Sequence, residues 1–519
     1  MRAIGLFLTL LGALAIAGEV KGIAFPTARW FFVVSREVPW LHAEAVPWFG
    51  WAASVLLVVV GLVILGRSLT AGEGDPVIRR RMKRFREIRR GYYSLIVLGF
   101  LAFLALLDQS LVGKRALAVK HEGRWIFPAF VAKEFKNKDF GLGGESAEAP
   151  ANYRDLKRHF AATGKGRVIL PPVPYDPTGD TLAPRSRPLE LRDGIYYEGR
   201  GDKPYFGLAA RYYDIEDSKI HLRFTMRSGK FNGPVDGWDK GGLQLYSAEY
   251  KDGAVVSDKY NGEGDKEAFL AVESSEPRAV KYHPAPPTPD TGNFLGTTSQ
   301  GYDMLAYLYG GLQVNFKAAL LFLPVVYVFG ITVGMLMGYF GKWVDIVMHR
   351  IIEIFENMPF LFIVIILSSM VPDHFKGLGI ILAILMVFGW MGIATLMRTT
   401  IYRERERDYV SAARVIGAGT PRILFRHLFP NTIAIIVTLV PFTFAGLISS
   451  LTALDYLGFG LPPQYATWGK LLNDGLANLS APWLVSATFV ALVSMLVLIT
   501  FVGEAIREAF DPKKYTYYR

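Results

Sequence analysis

The stretch Asp408–Asn431 reads DYVSAARVIGAGTPRILFRHLFPN and is polar and basic. Long apolar runs lie on both sides of it, Gly379–Met397 before and Thr432–Leu451 after. A helix needs about 20 residues to cross the hydrocarbon core of a bilayer, so both runs predict membrane spans. A polar segment held between two spans is expected to contact something outside the membrane.

Local signals predict that this stretch forms helix, tight turn and helix. Thr420-Pro421 is typical of a helix start, because a hydroxyl can cap free N–H groups and proline needs no N–H in the first turn. Gly417 and Gly419 are expected to supply the break before it. Ala412 and Ala413 make one face of the first helix small, so that a partner surface could approach closely.

The composition indicates a membrane protein. The 519 residues are 51% hydrophobic, and the mean hydropathy is +0.26. The absence of cysteine excludes disulfides, thiolate catalysis and cysteine-ligated metals. The eight histidines form no H-E-x-x-H pattern or close pair, so no metal site is predicted. The net charge of +11 is assigned to cytoplasmic loops rather than to nucleic-acid binding, because basic residues concentrate there in membrane proteins.

Apolar runs predict eight spans, although the first reads equally well as a cleaved secretory signal. The runs are about Leu6–Ala17, Val46–Leu65, Tyr92–Leu111, Phe316–Phe340, Ile352–Val371, Gly379–Met397, Thr432–Leu451 and Trp483–Phe501. The basic block Arg79–Arg90, the loop Arg398–Pro430 and the tail with Lys513, Lys514 and Arg519 all fall on one side. The positive-inside rule makes that side cytoplasmic, with both termini inside.

Four parts follow from this topology. Residues 1–78 form an added N-terminal segment with two spans, and 79–112 a basic segment and the first core span. Residues 113–291 lie outside the cytoplasm, and 292–519 form a core domain with five spans and the loop 398–430. The outer region is expected to consist of loops and short helices, one near Tyr153–Ala162, followed by a β-rich domain at about 189–280. Lys219–Met226, for example, alternates apolar and polar residues as a half-buried strand does.

Three classes of protein are considered, and the first two are open from the residues alone. AARVIGAGTPRILFRHL also fits a DNA-binding helix-turn-helix, which would make the chain a membrane-anchored sensor with an outer β-domain. Spans at both ends count against this reading, because a tethered loop cannot easily enter a major groove. An ion-coupled secondary transporter is the second class, but its path should be lined by charges that these spans lack. The third class, a transport subunit driven by another protein, is the one that the resemblance described next implies.

Four stretches, in order, resemble permease subunits of ABC importers. The coupling motif of that family, EAA, three residues, G, nine residues, I-x-L-P, is similar to SAA, three residues, Gly417, nine residues and HLFP. The other three stretches are Gly296–Gly311 (GTTSQGYDMLAYLYGG), Gly338–Ile363 (GYFGKWVDIVMHRIIEIFENMPFLFI) and Leu451–Leu472 (LTALDYLGFGLPPQYATWGKLL). The likeness is strong over Gly292–Lys514 and weak over Met82–Leu191. It is nearest to the second permease of microcin C and oligopeptide importers, in the dipeptide/oligopeptide class.

The resemblance implies a type I importer permease fold, α-helical and polytopic, with the β-rich region as an extracytoplasmic insertion. It implies a bacterial inner-membrane location and import of peptides or peptide-like solutes. The implied partners are a homologous permease, cytoplasmic ATPase subunits, an extracytoplasmic solute-binding protein and membrane lipid, with no nucleic acid. ATP and Mg²⁺ would be bound by the ATPase, since ATGKGR at Ala162–Arg167 lacks residues that a phosphate loop needs and this chain is not expected to be an enzyme. The implied ATPase contacts are Asp408, Ser411, Ala412, Ala413, Arg414, Gly417 and Pro430.

The chain departs from the family pattern at several positions. Ser411 replaces the glutamate at the head of the coupling motif, and Thr298 and Tyr302 replace an aspartate and an arginine of the entry segment. Without the glutamate, Asp408 or Arg414 is expected to anchor the contact. The β-rich domain inherits no role and is either a docking surface for a binding protein or solute, or a purely structural insertion.

Two further sets of residues are candidates. Gly330, Gly334 and Gly338 stand four apart in one span and are expected to let a neighbouring helix pack closely, with pore gating as the alternative. A carboxylate near a membrane is a functional candidate. Asp455, its neighbour Tyr456 and Asp303 are therefore candidates for a substrate path, with an interfacial position as the alternative for Asp455.

The topology predicts that a reporter fused near Gly262 is active only outside the cytoplasm. A fusion within Arg79–Arg90 serves as the control and should report the cytoplasm. Cytoplasmic activity of the fusion near Gly262 would contradict the eight-span topology.

Overall fold

The structure is a computed structural model. It describes all residues except 1, 22–31, 33–46, 71–75, 132, 143–147, 180–184, 199–203, 215–218, 242, 263, 272–275, 282–283, 288–292, 373–374 and 511–519. The basic residues predicted for the C-terminal tail, Lys513, Lys514 and Arg519, lie outside the described residues. The chain divides into two compact units, one of 1–180, 288–295 and 302–519, the other of 181–287 and 296–301.

Helices α1–α15 follow in chain order, and α6 belongs to the second unit. Their bounds are α1 Arg2–Lys21, α2 Trp48–Thr70, α3 Pro76–Glu87, α4 Arg89–Leu106, α5 Tyr153–Thr163, α6 Lys266–Leu270, α7 Met304–Phe340, α8 Lys342–Glu356, α9 Phe360–Met370, α10 Leu378–Gly389, α11 Met391–Glu404, α12 Asp408–Val415, α13 Thr420–Tyr456, α14 Trp468–Ala477 and α15 Pro482–Phe510. Helix α13 is continuous and contains one π turn, Ile423–Leu428.

Six helical stretches among the described residues are long and apolar enough to cross a membrane. They are Trp48–Gly66, Arg89–Leu106, Met304–Phe340, Leu378–Glu404, Thr420–Tyr456 and Pro482–Phe510. Each contains or overlaps a predicted span. The predicted span Leu6–Ala17 lies in the shorter apolar helix Gly5–Val20.

The predicted span Ile352–Val371 falls on two short helices that together are apolar enough to cross a membrane, and a single crossing there stays a prediction. Helix α8 ends at Glu356, α9 begins at Phe360, and the two are bent by 83°. Pro359 immediately precedes α9, at φ −63° and ψ 98°. Proline has no N–H to continue a helix, and it drives the residue before it out of helical geometry. Counting apolar residues detects the run but not this bend.

The predicted N-terminal spans form a tightly packed pair. A Cβ on Gly61 of α2 would lie 2.6 Å from the backbone nitrogen of Thr9 in α1. The Thr9 hydroxyl donates to the carbonyl of Gly5 at 2.8 Å, which satisfies it within its own helix. On the face of α2 one turn apart, Phe49, Ala53 and Leu57 pack against the main apolar core of the first unit.

Helices α7 and α11 approach each other along a stripe of glycines. A Cβ on Gly330 would lie 2.8 Å from the carbonyl oxygen of Trp390, and one on Gly334 would lie 2.5 Å from that of Ala394. A Cβ on Gly338 would lie 2.7 Å from Cβ of Ile401. All three glycines therefore face α11, and the two backbones are closer than any side chain on α7 would permit.

The segment between α4 and α7 contains a small sheet that sequence reasoning missed. Residues 114–188 were expected to be loops and short helices, yet strands β1, β2 and β3 pair antiparallel in the order β2-β1-β3. The strands are β1 Ala118–His121, β2 Arg124–Ile126 and β3 Gly166–Ile169. Strands of three or four residues are too short to show alternation. The helix expected near Tyr153–Ala162 is α5, capped by the Asn152 side chain.

The second unit contains an eight-stranded antiparallel sheet in the order β10-β9-β8-β7-β6-β11-β4-β5. Its strands are β4 Arg185–Arg192, β5 Ile195–Glu198, β6 Gly207–Asp214, β7 Lys219–Arg227, β8 Lys230–Trp238, β9 Gln244–Lys251, β10 Ala254–Tyr260 and β11 Arg278–Lys281. The predicted alternation is present in β7, where Leu222, Phe224 and Met226 are buried. Asp252-Gly253, with φ of +50° and +90°, turns β9 into β10, as expected for a two-residue hairpin.

Replacing Gly334 with leucine is expected to destabilise the protein, because the new Cβ meets the backbone of α11, which cannot move aside. Overpacking costs about 1–3 kcal/mol, so the unfolding midpoint in detergent should fall. Gly392→Leu is the matched control, since a Cβ there meets nothing within 4 Å. Equal stability of the two variants would contradict the assigned packing.

Candidate functional site

The polar loop predicted between the two long apolar runs is shorter than expected. It was expected to run over Arg398–Pro430, but α11 continues to Glu404 and α13 begins at Thr420. Most of what remains is the short helix α12, Asp408–Val415. Helix α12 is therefore joined by a few residues to long apolar helices on both sides.

The turn after α12 depends on Gly417. Its N–H donates to the carbonyl of Arg414 at 3.0 Å, and the N–H of Ala418 donates to that of Ala413 at 2.9 Å. This pair of bonds closes a helix end when the first residue beyond the cap is left-handed. Gly417 is that residue and has φ +84°. The predicted break at Gly417 is thus explained by backbone conformation, whereas Gly419 is extended and needs no glycine for that reason.

The predicted hydroxyl cap of the next helix is displaced by one residue. Gly419 occupies the cap position of α13, without a side-chain cap hydrogen bond, and Thr420 is already helical. Pro421 lies in the first turn as expected, where its missing N–H has no partner to lose. Pro430 lies inside α13, two residues after the π turn ends.

Helix α12 has one face toward the core and one outward. Val410 and Ala413 are buried in the main apolar cluster of the first unit. Ala413 therefore cannot offer a small surface to a partner, as had been expected for Ala412 and Ala413 together. At the end of the helix Val415 and Ile416 are 88% and 86% exposed.

The polar residues of the motif have different surroundings. The Arg414 guanidinium lies 5.4 Å from the ring centroid of Tyr339 on α7, a cation–π contact that ties α12 to that helix. Ser411 is exposed, at the position where the family has a glutamate. Asp408 is exposed in the first turn of α12, where a carboxylate is favoured by the helix dipole.

A buried ion pair near this site was missed by sequence reasoning. Arg398 on α11 makes a bidentate pair with Asp345 on α8, through Nη2 at 2.7 Å and through Nε. The Tyr402 hydroxyl donates to the same carboxylate at 2.7 Å. Arg405 Nη1 donates to the carbonyl of Gly338, at the end of α7, at 2.9 Å. The spacing of Arg398, Tyr402 and Arg405 along one helical face was the available signal.

Asp455, a candidate for the substrate path, closes a loop in the structure. Its carboxylate is buried and accepts the N–H of Leu461 at 2.7 Å. A Cβ on Gly469 would lie 2.6 Å from Cβ of Asp455, so α14 packs directly against it. Tyr456 is partly exposed, and its carbonyl accepts from Asn473 at 2.7 Å. A path role for these two residues stays a prediction.

Lys470 lies buried beside the same loop. Its ammonium donates to the carbonyls of Pro462 at 2.6 Å and Tyr465 at 3.0 Å. Burial lowers the pKa of Lys470 to about 8, although the nearby Asp455 opposes the shift. The lysine therefore holds the loop through backbone carbonyls rather than facing solvent as a free charge.

Asp303, the third candidate for the path, is the N-cap of α7. Its carboxylate accepts the N–H of Ala306 at 2.8 Å and the side-chain amide of Asn293 at 2.7 Å. Burial raises the pKa of this carboxyl above its usual value, while those hydrogen bonds oppose the shift. Its contacts are those of a structural cap, and a path role stays a prediction here as well.

The helix-turn-helix reading is not favoured. The second helix of the motif is the beginning of α13, which is 37 residues long and apolar enough to cross a membrane. A recognition helix must lie in the major groove with its polar side chains free. Among the described residues, no group of three or more histidine, aspartate or glutamate side chains could hold a metal ion.

The fold and the site define a polytopic helical membrane protein in which a short helix with one exposed face is held between two long helices. The sequence model of the family described as binding-protein-dependent transport system inner membrane component matches residues 330–515. The chain belongs to this family. The resemblance drawn from the motifs is confirmed, as is the helical permease fold with a β-rich insertion.

Relatives agree with this membership. The chain is 30% identical to the inner membrane ABC transporter permease protein YejE of Escherichia coli K12 over 440 residues, 85% of this chain and 98% of the relative. It is 28% identical to the peptidoglycan transport system permease protein YejE of Agrobacterium fabrum, over 85% and 94% of the two chains. It is 30% identical to the dipeptide transport system permease protein DppC of Bacillus subtilis, over 47% and 76%.

A double-mutant cycle tests whether Asp345 and Arg398 form a working pair. Asp345→Asn and Arg398→Gln should show a coupling of about 1–3 kcal/mol in unfolding experiments in detergent, since contacting residues in one ionic network are not additive. The matched control on α8 is the exposed pair Arg350 and Glu353, for which glutamine substitutions should couple by less than about 0.5 kcal/mol. Additive effects at Asp345 and Arg398 would show that the pair does not hold α8 to α11.

Proposed function

We propose that the chain is the transmembrane permease subunit of an ATP-driven importer. In this proposal it passes peptides or peptide-like solutes from an extracytoplasmic binding protein into the cytoplasm. The family description names a binding-protein-dependent transport system, and relatives carry the words dipeptide and peptidoglycan in their names. ATP and Mg²⁺ are bound by separate ATPase chains, and a homologous permease completes the pore.

The observation that carries the proposal is the exposed aliphatic end of α12. Val415 and Ile416 lie almost entirely in solvent at the tip of a helix that is held to the core through Val410 and Ala413. Each would contribute about 1.5–3 kcal/mol if fully buried, and adjacent exposed aliphatic residues on a rigid corner are suited to insertion into a groove. We assign that groove to the ATPase, on the cytoplasmic side that the basic residues indicate.

Motion of α12 would be transmitted to several long helices. Its contact through Arg414 is with α7, and α7 is locked to α11 along the glycine stripe. Helix α11 holds α8 through the Asp345–Arg398 pair. A packed assembly of this kind moves as a body rather than deforming continuously. Closure of an ATPase pair would therefore rock these helices together.

A cavity of about 250 Å³ is the candidate for part of the solute path. It lies among α7, α9, α10 and α13. Two of its polar groups, Thr443 and Ser450, lie on α13, and Gly446 between them has open space where a Cβ would be. The rest of the wall is mainly apolar and includes Phe322, Phe360 and Phe388, so the cavity presents two hydroxyls on an apolar surface rather than a buried charge such as that of Asp455.

The coupling role predicts that charge at the tip of α12 abolishes ATPase association. The double variant Val415→Asp/Ile416→Asp should insert normally, because both side chains are exposed. It should lose co-purification with the ATPase in detergent, and with it ATP-dependent uptake. Leu479→Asp is the control, since Leu479 is 73% exposed but distant in sequence from α12. Retained ATPase binding by the double variant would contradict the proposal.

A further inference from the structure

A second cavity lies in the segment between α4 and α7, against the N-terminus of α5. Its volume is about 230 Å³. The residues that matter to its chemistry are Lys114, Arg115, Glu134, Asn152, Tyr153 and Arg154. It is distinct from the cavity among the long helices and shares no lining residue with it.

Three of these residues are cationic and one is acidic, so the cavity carries a positive charge. Within the described part of the chain, the Lys114 ammonium has no hydrogen bond or ion pair. The Arg115 guanidinium has one partner there, the carbonyl of Val131 at 2.9 Å, which leaves other N–H groups to bind a ligand. Glu134 also lacks a partner among these residues, so it is not neutralising either cation directly.

Tyr153 adds a hydroxyl donor to the cavity wall. The residue is only 5% exposed, its ring packs against Phe140, and it lines the cavity. Its hydroxyl has no hydrogen-bond partner among the residues that the structure describes. Burial raises the pKa of Tyr153 to about 12, so the hydroxyl remains a donor at neutral pH. The hydroxyl oxygen itself is not fully buried, so it can donate to an acceptor in the cavity.

The N-terminus of α5 adds a favourable field for an anion. Asn152 Oδ1 accepts the N–H of Arg154 at 3.2 Å, and its amide donates to Asp155. The first N–H groups of a helix and its dipole together favour negative charge. Cations, a phenol and a helix N-terminus thus converge on one small space.

The cavity wall is connected to the core of the first unit. The Arg154 guanidinium lies over the ring of Tyr175 at 4.7 Å and donates to the carbonyl of Pro174 at 3.1 Å. Two residues further on, Pro177 touches the place where a Cβ on Gly310 of α7 would be, at 3.0 Å. The Thr178 hydroxyl donates to the carbonyl of Gln464 at 3.1 Å. A ligand here would therefore lie close to the start of α7 and to the loop held by Asp455.

We propose that this cavity binds the terminal carboxylate of a peptide solute before the solute enters the path through the membrane. The inference rests on the proposed import function, which supplies peptides as the solutes. One carboxylate can accept from the Tyr153 hydroxyl and from Arg115 together, and the volume suits an end group of about one residue rather than a whole oligomer. Glu134 would repel the ligand and keep the binding weak enough for release.

The direct test measures ligand binding to the purified full-length chain in lipid nanodiscs, with saturation-transfer NMR as the readout. The probes are N-acetyl-Ala-Ala, whose only charge is the carboxylate, and its C-terminal amide, which is neutral. Hydrogen bonds to a charged group are stronger than those to a neutral one, so the acid should bind at least about tenfold more tightly than the amide. Equal binding of the two probes would overturn the proposal.

Substitutions of residues lining this one cavity are expected to change the affinity in opposite directions. Arg115→Gln and Tyr153→Phe should each weaken binding of the acid, the first by about tenfold. Glu134→Gln should strengthen it, because a like charge is removed. Lys157→Gln is the matched control, since Lys157 is exposed on α5 and does not line the cavity. Weakening by Lys157→Gln equal to that by Arg115→Gln would mean a general charge effect and would overturn the site.

Other occupants give different results. Full displacement of N-acetyl-Ala-Ala by an equal concentration of inorganic phosphate would assign the cavity to inorganic anions and overturn the proposal. Arg115→Gln that left the peptide affinity unchanged and weakened only docking of the binding protein would assign it to an acidic side chain of that partner, and also overturn it. The NMR assay needs no ATPase, so its failure is distinguishable from failure of the import function, which the variant at Val415 and Ile416 tests.

Discussion

The close approach of α7 and α11 is the constraint on which the membrane core depends. It requires glycine at Gly330, Gly334 and Gly338, because the backbone of α11 occupies the space of a side chain. In lipid, apolar side chains gain little by leaving their surroundings, so close van der Waals packing has to hold helices together. With α11 fixed in this way, Arg398 reaches Asp345 and Arg405 reaches the end of α7. The ionic contacts thus follow from the packing.

Features set by neighbouring residues could be predicted from the sequence, and contacts between distant residues could not. Gly417 was identified because a left-handed helix end leaves a mark at one residue. The pair Asp345–Arg398 joins residues 53 apart, and nothing in either neighbourhood specifies the other. The bend before Pro359 lies between two apolar runs, which composition merges into one span. Three-residue strands such as β2 carry too few positions for a period of two to be visible.

Burial decides which of the candidate residues are free to contact a solute or a partner. Asp455 and Asp303 appeared functional because carboxylates near a membrane are costly. Both are buried, and backbone N–H donors offset the cost of burial: Asp303 accepts the N–H of Ala306, and Asp455 accepts the N–H of Leu461. Ala413 faces the core for the ordinary reason that an eight-residue helix on a packed surface must turn one side inward. Val415 and Ile416 carry no sequence signal of exposure, since an aliphatic pair looks like core until its surroundings are known.

The loss of the family's glutamate at Ser411 changes what can hold the coupling contact together. Arg414, one of the two expected substitutes, already interacts with Tyr339 and is directed toward α7. Asp408, the other, lies at the opposite end of α12 from the exposed tip. An exposed ion pair contributes about 0–1 kcal/mol, whereas burying Val415 and Ile416 contributes several times that amount. In the proposed contact with an ATPase, the aliphatic tip would therefore govern strength, and Asp408 would set orientation.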